Sequence, residues 1–129
     1  GQDRKILGQT DAVETLVRFK REGKTRAVGI SAKTAEGIAD ASQSLDVVMA
    51  PFSLGDPSLG TALAQAHSAG TGVLAIKGLR GGPQGKGGAG KSTAFVLGRD
   101  FIHTLVVGTL NPDHLREVVR SAGPQERTS

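Results

Sequence analysis

The chain has 129 residues, 16 basic against 12 acidic side chains for a net charge of +4, 19 glycines and no cysteine. That length fits one domain and excludes a complete (β/α)8 barrel, which needs roughly 200 residues or more. Without cysteine there is no disulfide framework, thiolate zinc site or cysteine nucleophile, so a reducing, cytoplasmic compartment is expected, and no apolar run approaches the roughly 18 residues of a membrane span.

In chain order, Asp11 and Glu14 have capping-box spacing ahead of the apolar stripe Val13, Leu16 and Val17, with Gly23 as the stop. Residues 26–30 predict a short buried strand, and Thr34 predicts the cap of a helix carrying Ile38 and Ala41 inward. Residues 45–50 predict a second strand ended by Pro51. Ser58 opens a third helix with Leu59, Ala62, Leu63 and Ala66 on one face and Gly70 as its stop. Residues 72–76 predict a third strand, followed by a glycine-rich basic loop to about Lys91 and a short helical piece over 93–97. Residues 104–108 predict a fourth strand. The last helix has Asn111 as N-cap, Pro112 at its first position, Leu115, Val118, Val119 and Ala122 on one face, and Gly123-Pro124 as the stop. The domain thus runs over 1–123, with a polar, flexible tail at 124–129.

The strands are continuous apolar runs, each followed by a helix, as in a parallel sheet covered on both faces. Four βα units suit half of a (β/α)8 barrel or a small doubly wound parallel sheet, and periodicity does not separate the two. In both, ligand sites lie at the C-terminal strand ends: here Ser31, Phe52, the Lys77–Gly82 loop, and Gly108–Thr109 leading to Asn111. No acidic residue falls between Asp56 and Asp100, whereas Lys77, Arg80, Lys86, Lys91 and Arg99 do. Such a stretch suits a phosphate group or a solvated cationic loop. Nucleic acid is not an expected partner, because the basic residues are not interleaved with stacking aromatics.

Residues 85–92 match G-x-x-x-x-G-K-[ST], the pattern in which Gly85, Gly90, Lys91 and Ser92 would cradle phosphates and hold magnesium. Against it, the preceding strand ends well before Gly85, and the composition raises the rate of chance matches, so a flexible Gly/Lys loop is the competing reading. His67, His103 and His114 lack metal-site spacing, and no complete catalytic set is visible.

The segments 22–34, 45–56, 66–82 and 103–119, in their order and spacing, resemble the C-terminal half of an aldo-keto reductase of bacterial type. The resemblance implies that the four strands are the fifth to eighth of a (β/α)8 barrel whose chemistry is NADP(H)-dependent carbonyl reduction. It implies further that Ser31 touches the nicotinamide carboxamide and that Phe52 stacks on the nicotinamide. Lys77, Leu79, Gly81 and Gly82 would form the pyrophosphate loop. Gly108, Thr109, His114 and Glu117 would lie around the adenosine 2′-phosphate and adenine. Ala32, Met49, Gly108 and Val118 depart from common family residues, which implies weak or lost cofactor binding. The family's catalytic Asp, Tyr, Lys and His belong to the absent first half, and this chain has no tyrosine. The resemblance therefore implies a chain inactive alone. An open parallel sheet also implies self-association or an N-terminal half-barrel partner. A P-loop nucleotide module on residues 85–92 and a non-catalytic assembly domain are the alternative functions.

Overall fold

The row Ser31, Met49, Leu74 and Thr104 runs straight across one four-stranded parallel sheet. In the computed structural model, which describes residues 2–9, 11–83 and 87–123, the strands are β1 (Gly29–Ser31), β2 (Val47–Pro51), β3 (Gly72–Ile76) and β4 (Thr104–Val106). They lie in the order β1-β2-β3-β4. The helices are α1 (Gln2–Gln9), α2 (Ala12–Arg21), α3 (Ala35–Ser42), α4 (Gly60–Ser68), α5 (Gly88–Leu97) and α6 (Pro112–Ser121). Each strand but the last is followed by a helix and then by the next strand in space, so the sheet winds one way only. A doubly wound sheet reverses its strand order at a switch point, and this one does not.

Side-chain parity shows where the helices lie. Val48 and Ala50 of β2 and Val73 and Ala75 of β3 are fully buried, with Ile38 of α3, Leu63 of α4 and Val96 of α5 in the same core. Their neighbours Val47, Met49, Leu74 and Ile76 point to the opposite face and are only half-buried. The strands are therefore covered by helices on one face, not on both as their apolar runs predict. The same runs are the signature of strands that line a closed barrel inside and out.

The caps explain several boundaries. Thr34 Oγ1 accepts from Gly37 N–H at 3.1 Å, and Asn111 Oδ1 accepts from Asp113 N–H at 2.9 Å. Asp11 departs from the capping-box expectation: it precedes α2 but makes no side-chain cap bond. β1 begins at Gly29 rather than 26, β4 ends at Val106 rather than 108, and α4 begins at Gly60 rather than Ser58. α5 is longer than the predicted piece, because Gly87 at φ 84 turns the chain into the helix and glycines 88 and 90 continue it. On α6, Val118 is buried, whereas Leu115 and Val119 of the same apolar stripe are 50 % and 64 % exposed. Residues 124–129, the predicted tail, lie outside the described residues.

Candidate cofactor site

The C-terminal ends of β3 and β4 open into a cavity of about 340 Å³ lined by Lys77, Gly78, Leu79, Arg80, Val106, Val107 and Gly108. It forms because adjacent parallel strands end level with one another and their outgoing loops diverge, which is where α/β folds place ligands. Lys77, the first residue beyond β3, has φ 58. A left-handed backbone at a non-glycine residue costs about 1–2 kcal/mol, and such strain gathers at functional sites. The turn carries the Lys77 ammonium to an exposed position beside the cavity. Arg80 is exposed as well, near Asp56. The Ser58 hydroxyl, donating to Asp56 at 2.6 Å, holds that carboxyl below its usual range. The Ser58 N–H and the nearby Arg80 guanidinium act in the same sense.

Of the residues expected here, Lys77, Leu79 and Gly108 line this one cavity. Gly81 and Gly82 follow in the same loop, and packing accounts for both. A Cβ on Gly55 would lie 2.6 Å from the Gly81 carbonyl oxygen, and a Cβ on Gly82 would lie 2.0 Å from Ser92 Oγ. Thr109 and His114 sit on the β4–α6 connection and the first turn of α6, outside the cavity lining, with Thr109 Oγ1 accepting from Asn111 N–H at 3.1 Å. Ser31 is exposed at the end of β1, two strands away.

Glu117 of α6 shows what spacing could not. Its Oε1 accepts from Gly87 N–H at 3.0 Å, tying α6 to the start of α5. Its Oε2 is buried with no hydrogen-bond partner among the described residues. A buried carboxylate oxygen left over in this way is a place for a donor.

Phe52 packs in the core. Its parity follows Val48 and Ala50, so the ring turns toward the helices, stacked on Phe95 at 5.7 Å and edge-on to Phe101 at 5.6 Å. At 3 % exposure it offers no open face to a nicotinamide.

The glycine-lysine motif is dispersed. Gly85 lies outside the described residues, Gly90 is within α5, and Lys91 is exposed on it. Ser92 is 1 % exposed and packed on the Gly82 backbone, so its hydroxyl does not face a position where magnesium could be held. Among the described residues no group of three or more His, Asp or Glu side chains could hold a metal. His67 and His103 do meet, with ring centroids 5.0 Å apart, and His103 Nδ1 accepts from Val73 N–H at 3.0 Å. They stand at the N-terminal ends of β3 and β4, away from the cavity. No helix among the described residues is long and apolar enough to cross a membrane.

No family model and no curated protein matches the chain. Solved structures do match. One from Pseudomonas aeruginosa, assigned as an aldo-keto reductase, is 31 % identical with a TM-score of 0.83, covering 95 % of this chain and 46 % of its own. A second from the same organism with the same assignment is 30 % identical at TM-score 0.83, covering 95 % and 47 %. The fold of this chain matches half of an aldo-keto reductase barrel. It spans a little under half the length of the solved relatives it matches. Its one-way winding and single helix-covered face are those of four adjacent βα units in a closed (β/α)8 ring.

Proposed function

We propose that this chain is the cofactor-binding half of an NADP(H)-dependent carbonyl reductase, binds the nucleotide weakly, and does not catalyse reduction alone. The observation that carries the reading is the cavity between Lys77–Arg80 and Val106–Gly108, with a lysine in a strained turn at its mouth. The residues present fit the phosphate and adenosine end of such a cofactor. Lys77 would face the diphosphate as a point charge, and Gly78 lets the backbone come close. Glu117 Oε2, without a partner among the described residues, would accept from an exocyclic amine. At the nicotinamide end, Ser31 remains for the carboxamide, whereas the buried Phe52 leaves the stacking position unfilled. That half-fitted site supports weak binding.

The cofactor, when bound, supplies a hydride. Carbonyl reduction then needs a proton donor in reach of the developing alkoxide. This chain has no tyrosine, and its described residues bring no other acid to the cavity lining except the cations themselves. Titrating the protein into NADPH while following nucleotide fluorescence tests the binding: saturable quenching lost in Lys77→Ala supports it. Carbonyl-dependent NADPH consumption by the pure chain would overturn the inactivity.

A further inference from the structure

The charges of α2 reverse about its own midpoint. Asp11 and Arg21 each stand five residues from Leu16, and Glu14 and Arg18 each stand two residues from it, acids before and bases after. Steps of three, four and three residues make these four side chains a straight ridge on a helix. Asp11, just ahead of α2, has a near-helical backbone at φ −76 and ψ 4 and so continues the ridge. At 3.6 residues per turn the four fall within about 80° of arc, on the side opposite Leu16, and span about 15 Å.

The inner side of α2 is packed. Val13, Leu16 and Val17 lie against the core, and Lys20 Nζ donates to Asp46 at 2.5 Å. The charged ridge therefore points away from the sheet, and what lies beyond the β1 or β4 edge does not bear on it. All four of its residues are exposed. Among the described residues Asp11, Glu14 and Arg21 have no ion-pair partner, and the Asp11 carboxylate does not cap its own helix. Arg18 lies 3.7 Å from Glu22 and 5.8 Å from the Phe19 ring centroid. A groove of about 510 Å³ runs beside the ridge, lined by these four residues and by Val13 and Val17 among others.

We infer that α2 is a pairing surface for a second copy of this chain, with the two helices antiparallel about a two-fold axis at Leu16. That axis sets Asp11 against the partner's Arg21 and Glu14 against the partner's Arg18, and the same again in reverse. A parallel pair in register would set each charge against its own copy and repel. A uniformly acidic or basic partner would meet only half of the ridge with the right sign. The groove receives the aliphatic stems of the partner's arginines along Val13 and Val17. Exposed ion pairs are individually weak and screened by salt, so the dimer is weak and salt-sensitive. The inference uses neither the sheet edges nor nucleotide binding.

Sedimentation equilibrium of the full chain without nucleotide, from about 10 μM to about 1 mM protein, tests it. A monomer–dimer equilibrium is expected at about 20 mM salt, weakened about tenfold or more at about 0.5 M. Asp11→Arg and Arg21→Glu should each weaken it about tenfold or more, since each turns two attractive contacts into repulsive ones. The double variant should return to within about threefold of the unaltered chain, because only the antiparallel register puts these two positions opposite each other. Thermal unfolding establishes that all three variants are folded. A chain that stays monomeric over the whole range at low salt would overturn the inference. So would a dimer indifferent to the single reversals, or a double variant as weak as either single one.

Discussion

The backbones of Gly55 and Gly81 are in contact, the second in a left-handed turn at φ 66. Gly55 lies in the loop after β2 and Gly81 in the loop after β3, so this contact locks together two strand-end loops that border the candidate site. A Cβ at Gly55 would come within 2.6 Å of the Gly81 carbonyl oxygen, and a backbone atom cannot swing away as a side chain could. Gly55→Ala should therefore cost about 1–3 kcal/mol through backbone displacement. Thermal unfolding checks the loss. NADPH affinity should fall with it, because the displaced loop carries Lys77 and Arg80.

Lys77 separates strain from charge. Glycine adopts φ 58 without steric cost, whereas alanine does not. Lys77→Gly should be more stable than Lys77→Ala by about 1 kcal/mol, while both lose the cation and bind NADPH equally poorly. Equal stabilities in chemical denaturation would show that the turn is not strained. A difference in NADPH affinity between the two variants would show that the backbone, not the ammonium, governs the site.

These two positions mark where the sequence is readable. The β3 strand over 72–76, the Thr34 and Asn111 caps and the order of the βα units follow from periodicity and end signals, because each is set by neighbours a few residues away. The location of the Lys77–Gly82 loop at the end of β3 follows too, since the end of the apolar run fixes it. The direction of Phe52 is not legible, because it depends on parity along β2, and a strand ending in Pro51 can be read with either face inward. The bond from Gly87 N–H to Glu117 joins residues 30 positions apart and leaves no local pattern. The glycine-lysine motif matched a pattern of types, but its meaning depended on where the preceding strand ended.

Asp46 predicts an acid dependence of stability. Its carboxylate accepts from Lys20 Nζ at 2.5 Å and from Val28 N–H at 3.0 Å, joining α2 to the start of β2. The Lys20 hydrogen bond first, then that from Val28, holds its carboxyl below the usual carboxylate range. A group with a depressed folded-state pKa stabilises the fold above its unfolded pKa, about 3.9, and that stability is lost as pH falls through the folded value. Asp46→Asn should lower stability at pH 7 and flatten its decline below about pH 4. Urea midpoints measured from pH 7 downward would reveal both effects, and parallel curves for the two proteins would exclude the role.

Phe52 offers the sharpest test of the corrected site. Its ring fills the space between Phe95, Phe101 and the Gly60 backbone, with Cε2 3.2 Å from where a Cβ of Gly60 would lie. Phe52→Leu removes a stacked and an edge-on aromatic contact, each worth about 0.5–1.5 kcal/mol, so a loss of about 1–3 kcal/mol is expected. A ring with no open face should not govern nucleotide affinity directly. At a temperature well below the variant's unfolding transition, NADPH affinity should therefore match that of the unaltered chain. If affinity instead falls while the folded fraction is unchanged, the ring reaches the nicotinamide and the packing described here gives way on binding. Phe52→Tyr adds a second readout: burial leaves its hydroxyl without water, so it should destabilise the fold without strengthening binding.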